Sequence, residues 1–557
     1  MSKHVNLLAL PIGLVVAAGC ATTGTIDRDR QVVKPQAQIF ETMGPHERKI
    51  TTSSAEAQHY FDQGLTWMYA FNHDEAIRSF TRAAELDPEC AMAWWGVALC
   101  QGPNYNDPKM TEARSAAAWA ALQKALARIK NTTPVERALI EALSHRYAKP
   151  WPKDRTALEK AYADAMADVW AAYPNDTDVG TLYAESMMVK RPWKLYSLDF
   201  KPAEDTAKIV AVLERVLEMN PDNPGANHLY IHAVEPSDSP DRGLVAADRL
   251  SDMVPASGHL EHMPSHIYVQ VGQWDKAIIQ NKKAMRADAR YRALSPKQGE
   301  QHGYMVHNAH MLAYAAMMSG REWEALAAAR AMWANVPEDA LREFGPIFDR
   351  WMCSVYDVQK RFGRWDDLLA EPPPPSFLPI TTAIWRAHRA IAYAAKKDLP
   401  NAEREFEEYP RAKARIPEHL QADGENPRRV LEVSDYLIAG EIALHRGEME
   451  RAAELLEKGA EIEDTLDYGE PPQWVQPIRH ALGAVYLVSG RYEDAERVYR
   501  EDLAEWPDNG WSLYGLSRAL HKQGKIDEAR EVEREYRVAW DDADAPITTS
   551  CKCIPQT

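Results

Sequence analysis

Eighteen histidines stand in a chain of 557 residues, and eight of them fall between His228 and His310, where even spacing would put about three. Two pairs are spaced four apart: His228 with His232, and His262 with His266. On a helix that spacing puts both rings on one face. Glu235 follows three residues after His232; His259, Glu261, His302, His307 and His310 complete the window, and Tyr314 lies four residues beyond it. Neutral imidazole is the commonest side-chain metal ligand. Zinc takes four N, O or S donors at about 2.0–2.3 Å, copper takes imidazole readily, and iron is a third option. The candidate metal ligands are His228, His232, Glu235, His259, His262, His266, His307 and His310. They exceed the needs of one ion, so a site of two or more copper or zinc ions is expected. Glu235 and Glu261 are candidate acid–base groups, and Tyr314 is a candidate proton donor. Met263, Met305, Met311, Met317 and Met318 would suit Cu(I) as soft thioethers, and serve equally as core filler.

Composition narrows the alternatives. The net charge of −17 comes with no sign of a basic face, which argues against nucleic acid. Six cysteines are too few for a disulfide-rich scaffold. There is no Walker loop, no GxSxG elbow, no dinucleotide fingerprint and no HExxH, so nucleotide chemistry, serine hydrolysis and the common zinc-protease arrangement are not expected.

The histidines need elements to position them, and the chain reads as helical hairpins. In Ala57 to Cys90, counting Ala57 as position 1, Gly64 falls at 8, Trp67 at 11, Ala76 at 20, Phe80 at 24, Ala83 at 27 and Pro88 at 32. This resembles the tetratricopeptide repeat (TPR), a 34-residue helix–turn–helix. Small residues at 8, 20 and 27 let the two helices approach, aromatic residues fill the seam, and proline stops the second helix. The frame recurs from Gly258, Val433, Gln476 and Gly510, and more weakly from Ala91, Thr177, Pro224, Val306, Asp349 and Ala383. Insertions interrupt it near 101–112, 191–203, 292–301, 370–380 and 408–430, and Pro372 to Pro375 must be an extended loop. The expected fold is all-α: a right-handed TPR superhelical solenoid of helix–turn–helix repeats over 51–543.

In that family the concave face is lined by positions 2, 5, 9 and 12 of the first helix. The resemblance then puts His228 at 5, His232 at 9 and Glu235 at 12 in the repeat from Pro224. It puts His259, His262 and His266 at 2, 5 and 9 in the next, and His307, His310 and Tyr314 at 2, 5 and 9 in the third. These groove repeats span 224–339. Cys353 and Asp357 follow at 5 and 9 in the repeat from Asp349, and Glu185 precedes at 9 in the repeat from Thr177. Pro264, inside the His262–His266 turn, is either a tolerated irregularity or a kink that re-aims two ligands. His59, His73, His145, His388, His419, His445 and His521 read as packed or surface side chains, and His480 has no histidine neighbour in frame. The strings NHLYIHAVE and GHLEHMPSHIYVQVGQW resemble a widespread group of bacterial TPR proteins, a resemblance that carries no activity with it.

The first twenty residues read as a lipoprotein signal peptide. Lys3 and His4 precede a mostly apolar run from Val5 to Ala18, too short to span a bilayer. Ala17-Ala18-Gly19-Cys20 resembles a bacterial lipobox, which implies acylation of Cys20 and a membrane contact through a lipid anchor. Residues 21–50 read as a polar tether. Ala21 is not the aspartate that retains lipoproteins in the inner membrane, so the expected location is the cell envelope, facing the periplasm, on the outer membrane if the source is Gram-negative. Residues 544–557 form a tail holding Cys551 and Cys553, a soft-metal chelate, a redox pair or an ordinary terminus. Three functions remain open: a metalloenzyme of the oxidoreductase or hydrolase kind, a metal storage or delivery protein, and a metal-free TPR scaffold binding a protein or peptide partner. The Lys/Asn clamp of chaperone-tail-binding TPR proteins is missing from the groove positions.

Overall fold

Ser54 starts the first hairpin: its side chain accepts the backbone N–H of Ala57, and Ala55–Tyr69 follows as helix. Asn72 caps the second helix, His73–Leu86, by accepting from Glu75. The two helices close over Phe80. A Cβ at Gly64 would lie 2.8 Å from the Phe80 ring, and one at Gly96, in the first helix of the next repeat, 2.6 Å. One phenylalanine therefore fills the seam between two repeats, and only glycine admits it from either side. Burying such a ring contributes about 1.5–3 kcal/mol. The same device recurs near the other end, where Gly483 and Gly515 flank the Tyr499 ring.

This computed structural model describes residues 37–554 apart from 296–298, 300, 344 and 423. The described residues form 27 α-helices. Their isolated β contacts are two single bridges, and Pro372 to Pro375 is irregular as expected. The architecture is an all-α solenoid of helical hairpins. No helix among the described residues is long and apolar enough to cross a membrane.

Distant repeats also meet. Phe40 stacks on Tyr291 at 5.7 Å, and the Tyr291 hydroxyl donates to Glu75 at 3.1 Å. Trp274 Nε1 donates to the carbonyl of Pro507 at 3.0 Å, and Trp511 Nε1 to that of Met317 at 2.9 Å. The inner face that the sequence presents as an open groove is consequently buried along the histidine repeats.

Residues 37–50, expected within the tether, are tied to the repeats: Phe40 N–H donates to Gln63 at 2.8 Å, and Arg48 pairs with Asp176 at 2.7 Å and Asp178 at 3.1 Å. The signal peptide, Cys20 and the first part of the tether lie outside the described residues. The tail from 544 is docked rather than loose: Ala545 N–H donates to Gly320 at 3.1 Å, and Ile554 is buried.

Candidate metal centre

Three helical segments carry the imidazoles. Pro224–Val234, capped by Asn223, holds His228 and His232, and Glu235 follows at its end. Gly258–His262 holds His259 and His262, and Pro264–Gln270 holds His266. Pro264 thus divides one repeat helix into two, with Met263 at the joint. Gln301–Met318 holds His307 and His310.

Six of the predicted ligands gather into two groups of three. His228, His232 and His259 offer nitrogens within 4.8 Å of one another, and so do His262, His266 and His307. Each group takes positions 5 and 9 of one repeat and position 2 of the next, so the second group is the first advanced by one repeat. The two touch through His232 and His266, whose ring centroids are 5.6 Å apart. His228, His232 and His262 have no exposed surface, His259 and His266 almost none, and His307 is partly exposed.

Four of the rings are locked at Nδ1. His228 Nδ1–H donates to the Tyr69 carbonyl at 2.6 Å, and His232 Nδ1–H to Glu235 at 2.9 Å. His266 Nδ1–H donates to the other Glu235 oxygen at 2.6 Å, and a Glu470 oxygen lies 2.6 Å from the same nitrogen. His262 Nδ1–H donates to Asn281 Oδ1 at 2.6 Å. The Asn281 amide cannot be turned over, because its Nδ2 donates to the Ala277 carbonyl at 2.8 Å. Locking Nδ1 as the donor leaves Nε2 with its lone pair, and this outer hydrogen bond is the usual companion of a metal-bound histidine. His262 Nε2 and His266 Nε2 face each other at 2.7 Å, and His228 Nε2 and His259 Nε2 at 3.1 Å. Two lone pairs at 2.7 Å repel unless a cation, either a proton or a metal ion, lies between them.

The charge states of five of the six rings fit this reading. Burial, helped by neighbouring histidines, holds His228, His232, His259, His262 and His307 well below the usual histidine range. They are neutral, as ligands must be. At His266 burial also works downward, but the carboxylates of Glu470 and Glu235 override it and push the ring up to about 10. In the metal-free protein a proton therefore sits on His266, donated to His262 Nε2, and a metal ion must displace it.

Glu235 forms a further group with His232 and His266 within the same 4.8 Å, where it accepts from both Nδ1 atoms and so also positions the two rings. The other candidates fall elsewhere. Glu261 is buried with neither carboxylate oxygen bonded. Burial and Asp252 push it up to about 7 against Lys283 and Arg290, and no histidine is among the charges it meets. The Tyr314 ring packs on Trp274 and Trp506 at 5.8 and 6.0 Å, and its hydroxyl is unbonded. His310 lines a separate small cavity with Arg350, Cys353, Asp357 and Trp474. It opens a third group in the same repeat pattern, but Tyr314 and Arg350 stand where the second and third imidazoles would be. Asp357 is taken by His388 at 2.7 Å and Cys353 at 3.2 Å.

The sequence reading missed the cover. Tyr105 and Trp193, from two of the insertions, lie 5.3 and 5.2 Å from the His232 ring. Phe71 lies 4.4 Å from His228. A signal for Phe71 was present: it occupies position 15, where the repeats from Gly258, Val306, Asp349, Val433, Gln476 and Gly510 carry glycine at positive φ. Phe71 adopts φ 55° there, a conformation costly for a bulky residue. Asn281 and Glu470 gave no comparable signal.

The fold and site define an α-helical repeat protein with histidines packed along its inner face. The tetratricopeptide repeat family matches two stretches of it, residues 61–129 and 480–544. No curated protein matches the sequence. Among solved structures, the chain is similar to the human IFIT1 dimer with m7Gppp-AAAA, at 15% identity over 88% of this chain and 91% of that one, with TM-score 0.32. It is also similar to yeast Tom70, at 11% identity over 88% and 91%, with TM-score 0.27. The APC/C hetero-tetramer Cut9-Hcn1 aligns at 13% identity over 83% and 76%, with TM-score 0.30.

Proposed function

We propose that this protein is a metalloenzyme that holds two copper or zinc ions side by side, each bound by three imidazoles. The observation that carries the reading is the convergence of ring nitrogens in two groups of three, with four of the six rings fixed at Nδ1. Three imidazoles leave a further position on a four-coordinate ion, which is the mark of catalytic rather than structural sites. An imidazole set suits copper, zinc or iron rather than magnesium or calcium. Bound ions of this kind supply water activation or electron transfer to a small substrate. The chain's own residues hold the ligands at Nδ1 and exclude bulk water with Phe71, Tyr105 and Trp193. Tetratricopeptide repeats in general bind protein or peptide partners, and that cover speaks against one lying on the histidines.

The test is elemental analysis of the full chain purified from an extracytoplasmic compartment. About two equivalents of copper or zinc are expected per chain. His262→Ala with His266→Ala should remove the second equivalent with little change in helix content. A wild-type chain that carries no stoichiometric metal, and takes none up on titration with Cu²⁺ or Zn²⁺, sinks the proposal. Turnover abolished by chelator separates an enzyme from a storage or delivery protein. We also propose that Cys20 is acylated and anchors the protein at the cell envelope, on the strength of Ala17-Ala18-Gly19-Cys20.

A further inference from the structure

After the last helix, which ends at Ala539, the chain returns across the repeats. Asp544 accepts the N–H groups of Glu322 at 2.6 Å and Trp323 at 3.2 Å. Ser550 donates to the His480 carbonyl at 2.8 Å and bonds the Tyr499 hydroxyl at 2.7 Å. His445 Nε2 meets the Cys553 carbonyl at 3.1 Å. These contacts hold the tail in place without any covalent link.

Cys551 and Cys553 are nevertheless joined by a disulfide across a separation of two residues. A disulfide stabilises chiefly by closing a loop in the unfolded chain, and the effect shrinks with the loop. A ring this small, in a segment already held by five hydrogen bonds, adds little as a staple. Its two sulfurs are unequal: Cys551 is partly exposed and Cys553 is 2% exposed. The remaining described cysteines, Cys90, Cys100 and Cys353, are free and buried.

Glu441 stands beside the pair. It comes from Pro427–His445, and its carboxylate lies within 4.8 Å of both sulfurs. The side chain is 1% exposed, and neither oxygen has a hydrogen-bond partner. A buried carboxyl with no partner is costly, and it calls for an explanation. Burial pushes it up to about 8, with Lys360 opposing, so it carries a proton at neutral pH.

We propose that Cys551 and Cys553 form a thiol–disulfide exchange site for an external dithiol, with Glu441 as the proton donor to the leaving sulfur. The thiolate of the dithiol attacks the exposed Cys551 Sγ, and the bond between the two sulfurs breaks. Cys553 Sγ leaves with the electron pair and takes the Glu441 proton. The second thiolate of the dithiol then attacks its own sulfur in the mixed disulfide, and Cys551 leaves as a thiolate protonated from solvent. Glu441 regains its proton from solvent. The chain gains two electrons and two protons, and the dithiol becomes a disulfide. This assignment does not depend on the metal centre.

The experiment treats the native full-length chain with dithiothreitol, quenches with acid, alkylates and maps the peptides by mass spectrometry. Cys551 and Cys553 should be reduced without denaturant while Cys90, Cys100 and Cys353 stay unmodified. Glu441→Gln should slow that reduction about a hundredfold or more, in line with what a positioned proton donor contributes, and Glu441→Asp should restore part of it. Cys553→Ser should capture an aromatic disulfide reagent at Cys551 much faster than Cys551→Ser captures it at Cys553. Reduction only after denaturation, a wild-type rate in a folded Glu441→Gln chain, or equal capture by the two serine variants would overturn the proposal. The wild-type and serine arms decide it even where Glu441→Gln does not fold.

Discussion

Glu235→Gln is the sharpest probe of the metal centre, because one carboxylate serves both three-histidine groups. It accepts Nδ1–H of His232 at 2.9 Å and of His266 at 2.6 Å, with 1% of its surface exposed. Glutamine keeps the shape but offers one acceptor oxygen, and its NH₂ opposes the other Nδ1–H donor to donor. One imidazole must then change tautomer or turn. Losing such an outer partner costs about 10–100-fold in metal affinity, or about 1.4–2.7 kcal/mol. The two ions should not suffer equally. His232 Nδ1 has Glu235 alone, whereas His266 keeps Glu470 at 2.6 Å. The group of His228, His232 and His259 should therefore lose affinity near the upper end of that range, and the other group near the lower. The assay is competitive titration of the metal-free protein against a chromophoric chelator, with circular dichroism as the control for folding. Two sites that both bind within twofold of wild type would refute the claim that Nδ1 locking prepares these rings for metal. A larger loss at the His262 group would refute the assigned division of labour.

Two further outcomes are expected. Phe71→Gly replaces a left-handed phenylalanine with the residue the other turns use. The strain released, about 1–3 kcal/mol, offsets a lost ring burial of about 1.5–3 kcal/mol. Thermal stability should move little, while bound metal should exchange faster with a chelator once the ring 4.4 Å from His228 is gone; unchanged exchange would show that Phe71 is not a cover. Cys20→Ser should move the protein from the membrane to the soluble envelope fraction; a variant that stays membrane-bound would remove the anchor.

The repeat frame and the register of the histidines were legible in the sequence, because both rest on local periodicity. A 34-residue repeat fixes which residues of a helix face inward, and Gly64, Phe80 and Gly96 show how directly side-chain size enforces the packing of neighbours. The pairing of His228 with His232 and of His262 with His266 follows from spacing alone. The sorting into two groups of three needed the structure, since position 2 of each following repeat supplies the third ring. His310 shares the pattern yet stands apart, because Tyr314 and Arg350 occupy the matching places. The cover was hidden for a different reason. Phe71, Tyr105, Trp193 and Glu470 come from turns, insertions and a loop far away in the chain, and in a solenoid such segments are brought together by the small rotation each repeat adds to the last. That rotation accumulates over many repeats and leaves no mark in any one of them. It turns a row of histidines on an expected groove into a largely buried cluster.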